Sequence, residues 1–158
     1  MSKGILVKVQ EKKFDVGALI QNLTISSGCE DEIGAIATFT GRVRRNVEKG
    51  SVDELFLEHY PIMTKKKIKE IVQNAWEKFQ INGCSVVHRV GKLAPGELIV
   101  FVGVTSRHRK DAFEACSYVM DFLKTEAPFW KKETGAHGEK WIRSREEDYF
   151  ARDKWSEK

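Results

Sequence analysis

The run LIVFVGV, from Leu98 to Val104, is the longest unbroken apolar segment of the chain. It spans only about a third of a bilayer, so it belongs inside a folded domain and not in a membrane. Branched and aromatic residues dominate 97–106, which predicts a strand. The triplet Ala94-Pro95-Gly96 just before it is a turn signal, so 97–106 should fold back on SVVHRVGKL (85–93) as a hairpin. Three more segments have the same strand character: ILVKVQ (5–10), EIGAIATFTGRV (32–43) and VDELFLEHY (52–60).

Helices fit between these strands. A short one is expected near 15–24. A clear one runs near 64–79 behind a Thr64 cap, with Ile68, Ile71, Val72, Ala75, Trp76 and Phe79 on one face. A third covers 108–126, and a weak one follows Ser144. Between these last two, FWKKET-GAHG-EKWIR reads as a second hairpin around Gly135 and Gly138. Helices interspersed with antiparallel pairs predict an α+β fold. With 158 residues, no repeat and no linker-like stretch, residues 1–158 are expected to form a single domain.

The composition narrows the function classes. A charged fraction of 32% and an apolar fraction of 41% suit a globular protein. A net charge of +4 permits an anionic partner without demanding nucleic acid, and no membrane or nucleic-acid partner is expected. Cys29, Cys84 and Cys116 form no CxxC pair and no metal-ligand spacing. With no signal peptide in MSKGILVKVQEKKF, they predict a cytoplasmic protein with no metal site and no cofactor. Glu58-His59 and His88 lie within strands and read as structural, core-edge histidines.

The segment FLKTEAPFWKKE, Phe122 to Glu133, combines core-like aromatics with Lys124, Lys131 and Lys132. On a helical wheel, Ala112, Cys116, Val119, Met120 and Leu123 occupy an arc of about 120° that ends at Phe113. Lys124 falls about 20° beyond that edge. Pro128 ends the helix near Glu126, and the chain leaves extended, with Lys131 on the side of Phe129 and Lys132 on the side of Trp130. Two readings of Lys124 stay open. Its stem can lie along the core edge with the ammonium in water. Alternatively, it meets Lys131 at a pocket wall, where a desolvated lysine beside a second cation titrates low and can serve as acid, base or nucleophile.

Two further clusters are basic. Thr105-Ser106-Arg107-His108-Arg109 opens the third helix, with Thr105 or Ser106 as its cap. Cations at a helix start oppose the dipole, so an anionic ligand or the nearby Asp111 and Glu114 must offset them. Thr40-Gly41-Arg42-Val43-Arg44 ends a strand, with Arg42 and Arg44 on one face and Val43 on the other.

Taken in order, ATFTGRVR, LEHYPIMTKKKIKEI, VVHRVGKLAPGE, VFVGVTSRHRKDAFEA and DFLKTEAPFWKKE resemble the catalytic large subunit family of molybdopterin synthase. The resemblance covers about Ile33 to Arg145. It implies an α/β hammerhead fold with an additional antiparallel β subdomain. It also implies a sulfurtransferase of molybdenum cofactor biosynthesis, converting cyclic pyranopterin monophosphate (precursor Z) to molybdopterin. The two sulfurs would come from the C-terminal Gly-Gly thiocarboxylate of a small ubiquitin-like subunit. The assembly implied is a heterotetramer around a homodimer of large subunits.

By the same resemblance, Lys124 and Lys131 are the catalytic lysines. Arg42, Val43, Arg44, His108 and Arg109 are expected to bind the substrate with them, as are Lys132 and Glu133. Arg145 is expected to reach the partner's pocket. An aromatic channel beside Phe129 and Trp130 would keep water from the activated sulfur. The competing reading is a non-catalytic basic module binding RNA. It predicts steep salt dependence, although no RNP or KH motif is present.

Overall fold

The computed structural model describes residues 4–47, 50–136, 138–143 and 145–157. In chain order the elements are β1 (Ile5–Gln10), α1 (Val16–Ser27), β2 (Ala35–Arg42), β3 (Asn46–Val47), β4 (Gly50–His59), α2 (Pro61–Lys78) and β5 (Gly83–Arg89). Then follow β6 (Gly91–Leu93), β7 (Leu98–Ser106), α3 (Arg109–Glu126), β8 (Phe129–Gly135), β9 (Gly138–Ile142) and α4 (Glu146–Asp153). This is the α+β arrangement expected from the sequence.

The first sheet has the order β1-β5-β7-β2, with β1 parallel to β5 and the other pairs antiparallel. Its central strand β7 is covered on both faces, which is why its sequence is apolar without alternation. Val100, Val102 and Val104 face α2 and α3 in the main core. The opposite face receives α1: a side chain at Gly103 would come within 2.8 Å of Leu23, so glycine leaves the space that Leu23 occupies.

The second sheet runs β3-β4-β8-β9, with β6 on the other flank of β4. It is the expected antiparallel subdomain. Val43, Leu55, Leu57, Val90 and Leu93 form its smaller core, while Val9, Ile99 and Phe129 pack against both cores. The sheets are also joined covalently. The segment 85–93, expected as one strand, breaks after Arg89. Gly91 adopts φ +80°, a conformation open to glycine, and β6 crosses to β4. The expected hairpin therefore pairs β5 with β7 but sends its arm into the second sheet.

Two helix starts differ from expectation. α2 begins at Pro61, the favoured first helical position for proline, so Thr64 is an interior residue and not the cap. α3 is capped by His108 rather than Thr105 or Ser106, although the Ser106 hydroxyl accepts a hydrogen bond from the His108 N–H at 3.3 Å. The last helix follows Ser144 as expected: α4 begins at Glu146, Ser144 itself lying outside the described residues. No helix among the described residues is long and apolar enough to cross a membrane.

The tail after α4 returns to the main core. Trp155 is 5% exposed, meets Phe79 and Tyr118 edge-on, and donates from Nε1 to Asp121 Oδ2 at 2.8 Å. Its indole thus fastens the tail to α3. Trp155→Ala is expected to lower unfolding free energy by about 3 kcal/mol, as large aromatic truncations in cores do. Urea titration of both proteins measures this; a loss within error would mean the tail is only loosely docked.

Candidate active site

α3 buries Ala112, Ala115, Cys116, Tyr118, Val119 and Leu123. Its apolar arc is turned away from Phe113, which is 67% exposed and not the edge of the face. The cause lies in the tail, since Trp155 and Phe79 draw Tyr118 inward. Lys124 therefore stands clear of the core, exposed in the last turn of the helix. Three residues after Lys124 comes the break: Ala127 is extended ahead of Pro128, and β8 begins at Phe129.

Pairing with β4 fixes what β8 presents. Phe129 lies opposite His59, Lys131 opposite Leu57, and Glu133 opposite Leu55. Those residues share one face, turned toward the cores. Lys131 is half-buried there, and burial first, then the Lys124 charge, pull its pKa down to about 8. Arg145 pushes in the same direction, while Asp148 and Glu133 oppose it. Arg145 precedes α4, its backbone N–H donating to Asp148 Oδ2 at 3.2 Å. It thus lies near Lys131 of its own chain.

Two histidines complete this cluster. The His88 ring stacks on Phe129 at 4.0 Å, and His59 approaches the same phenyl at 6.4 Å. His88 is buried, and burial, then the charges of Lys131, Lys124 and His59, hold its pKa near 4. Sequence reading took both histidines as structural. Only the pairing of β4 with β8 and the packing of Phe129 across β5 bring them to the lysines. A local pattern carries no trace of that.

Lys132 turns to the opposite face. It pairs with Glu139 at 3.6 Å and sits 5.6 Å and 5.7 Å from the Phe56 and Trp141 rings. Trp130 shares that side, edge-on to Tyr60 at 4.9 Å, in an open groove with Glu58, His59 and Trp141. Phe129 and Trp130 therefore do not wall one channel, as the aromatic-channel reading expected; Phe129 alone lies on the lysine side.

The remaining candidates divide by position. Arg42 donates to the Gly96 carbonyl at 3.2 Å, and both it and Arg44 are exposed. Val43 is 6% exposed, and its backbone bonds to Glu97 and Gly96, so it spaces the two arginines and packs the second core. Arg42 pairs near Leu98, at the end of β7 from which α3 is farthest in sequence. α3 returns along β7, bringing Lys124 to that same end.

His108 and Arg109 lie at the other end. With Gly34, Arg107 and Lys110 they line a shallow basic depression. At 1.5 Å per residue, α3 separates His108 from Lys124 by about 24 Å. A single chain therefore gathers Lys124, Lys131, Glu133, Arg145 and both strand histidines, with Arg42 and Arg44 at the same end, but not His108 or Arg109.

Comparison with known proteins places this geometry. A family model described as MoaE protein matches residues 9–126. The chain is 48% identical to the molybdopterin synthase catalytic subunit of Yersinia pestis, covering 98% of this chain and all of that one. A solved MoaE protein from Burkholderia ambifaria MC40-6 matches with a TM-score of 0.81 at 41% identity, over 96% of this chain and 98% of that one. The crystal structure of molybdopterin synthase from Staphylococcus aureus matches at 0.77 and 30% identity, over 85% and 95% of the two chains.

The site makes a direct prediction. Lys131 should titrate with a midpoint near 8, and Lys124→Ala should raise that midpoint, because removing a neighbouring cation favours the charged form. Acylation of Lys131 as a function of pH, followed by peptide mass spectrometry, reads both values. A midpoint in the ordinary lysine range in the unmodified protein would contradict the site's geometry.

Proposed function

Because this chain belongs to the MoaE protein family, we propose that it is the catalytic subunit of a molybdopterin synthase in which Lys124 and Lys131 carry the chemistry. It acts in molybdenum cofactor biosynthesis, converting precursor Z to molybdopterin with sulfur from a small ubiquitin-like partner subunit. The observation that supports the assignment of residues is Lys131: half-buried, beside a second lysine, and titrating near 8.

The chemistry follows from charge. A thiocarboxylate tail and a cyclic phosphate are both anionic, and bringing them together in a partly dry pocket requires cations fixed in advance. Lys124, exposed at the end of α3, adds positive charge where the anions must meet. Lys131 is the group able to change protonation state near neutral pH, which an acid, a base or an amine nucleophile must do. Arg42, Arg44 and Arg145 supply further positive charge. Glu133 and Asp148 keep Lys131 from losing its proton altogether. Lys132 supports β8 through Glu139 and the aromatic rings on the outer face.

His108 and Arg109 fit this reading through the homodimer. A two-fold axis that sets the α3 start of one subunit beside the α3 end of its partner completes each pocket with the other chain's depression. Three free cysteines suit a reducing compartment, and we place the protein in the cytoplasm.

Two outcomes test these roles. Purified protein mixed with thiocarboxylated small subunit and precursor Z should yield molybdopterin. Lys131→Arg should lower that turnover by more than about a hundredfold, because guanidinium keeps charge but cannot give up its proton. Near-normal turnover would make Lys131 an electrostatic residue only. Second, Lys124→Ala and His108→Ala subunits, each impaired alone, should recover part of the activity when co-refolded. In the mixed dimer one pocket receives both intact groups. Silence in verified mixed dimers would confine His108 to its own chain or remove it from the chemistry.

A further inference from the structure

The buried polar groups behind the lysines form a chain of contacts that the reaction itself does not use. Arg89 is 6% exposed, donating to the Glu11 carbonyl from Nε and Nη2 at 3.1 and 2.9 Å and to Glu97 Oε2 at 2.8 Å. Its own carbonyl oxygen lies 2.7 Å from His88 Nδ1. A carbonyl can only accept, so Nδ1 carries the proton and the imidazole has one fixed tautomer and orientation. That ring lies nearly flat on Phe129, with an interplanar angle of 20°. Phe129 is two residues from Lys131 on the same face of β8.

We propose that His88 is a positioning residue for Lys131: locked by Arg89 and stacked on Phe129, its ring holds the start of β8 against the core and keeps water from the Lys131 ammonium. This rests on Lys131 being the group that changes protonation state in the reaction. A ring in this place has two requirements. It must be flat, to cover Phe129 across its whole face, and it must be uncharged, since a third cation beside two lysines would repel both. A phenyl would satisfy the first, but only an imidazole also bonds to the Arg89 carbonyl, which a buried acceptor needs.

Every group facing Lys131 is consistent with this division. Lys124 on α3 and Arg145 before α4 oppose its charge, Glu133 on β8 and Asp148 on α4 favour it, and burial outweighs them all. His59 on β4 faces His88 across Phe129. Burial is the largest influence, so loosening the stack should move Lys131 more than any surface charge does. At neutral pH His88, titrating near 4, is protonated in only about one molecule in a thousand. It cannot be the proton store; its effect must run through packing.

The test is acylation of Lys131 across neutral to alkaline pH in full-length protein, read by mass spectrometry, together with the pH dependence of turnover. His88→Ala should raise the Lys131 midpoint by about one unit, leaving about tenfold less uncharged amine at neutral pH, and shift the rising limb of turnover equally. His88→Phe, which keeps a flat apolar ring, should hold the midpoint within a fraction of that shift. A folded His88→Ala protein with an unmoved midpoint would overturn the proposal. So would a His88→Phe protein displaced as far as the alanine variant, since the stack would then be irrelevant. If His88→Ala does not fold, Phe129→Leu removes the other half of the stack and must produce the same rise. The midpoint needs no turnover, so wild-type protein that makes no molybdopterin would count against the functional reading alone.

Discussion

The burial of Lys131 beside the Lys124 charge is the constraint that the rest of the structure answers to. An exposed ammonium and a half-buried one are set near each other, which no sequence does by local preference. They arrive on different elements: Lys124 ends α3, and Lys131 sits on β8, with Pro128 enforcing the break between. Each element must be held from outside. β8 is pinned by ladders to β4 and β9 on its two sides. α3 is held by the β7 face beneath it, by Trp155 of the tail on Asp121, and by Arg152 of α4 and Lys67 of α2 on Glu126. Both ion pairs on Glu126 are partly exposed and individually weak. The buried tryptophan is the stronger tie.

The length of α3 imposes a second condition. A helix of 18 residues that packs along a sheet delivers its two ends to opposite edges of the domain. The basic residues at its start and the lysine at its end cannot meet within one chain. Symmetry provides a way out, since an isologous contact lets each chain give what it cannot use itself. In the dimer proposed above, the charge at the start of α3 would serve a site on the other subunit.

The sequence made much of this legible where the signal is local. Strand patterns, the Ala94-Pro95-Gly96 turn, the Gly135–Gly138 hairpin and the opposite facing of Lys131 and Lys132 all follow from periodicity of two and from turn chemistry. The failures share one cause, which is contact between residues remote in sequence. The wheel placed Phe113 at the edge of the apolar face because it could not know that the tail would pull Tyr118 inward. Strand 85–93 read as continuous because Gly91 is an ordinary residue until β4 offers β6 a partner. His88 and His59 looked structural, and in a sense they are; their position beside the lysines depends on which strand pairs with β4. Thr64 is the exception: Pro61 marks the first helical turn, a local signal that the choice of Thr64 as cap passes over.

Lys131 and Lys132 show how far placement governs chemistry. They are the same residue type, adjacent in one strand, and the pleat alone separates their fates. Lys132 has a carboxylate partner and aromatic faces on the outer surface. Lys131 faces inward with its pKa near 8, below the value it would have in an unfolded chain. That difference has a thermodynamic consequence. A lysine whose folded pKa is lowered binds its proton less tightly when folded, so below about pH 8 its ammonium is a standing cost to the native state. The cost is relieved as pH rises from there toward the unfolded value near 10.5, where both states lose the proton. The fold therefore tolerates Lys131 least comfortably at neutral pH and below. The stability given up there must come from elsewhere, from β7 buried on both faces and from Trp155 closing the tail onto α3, contacts that take no part in the chemistry.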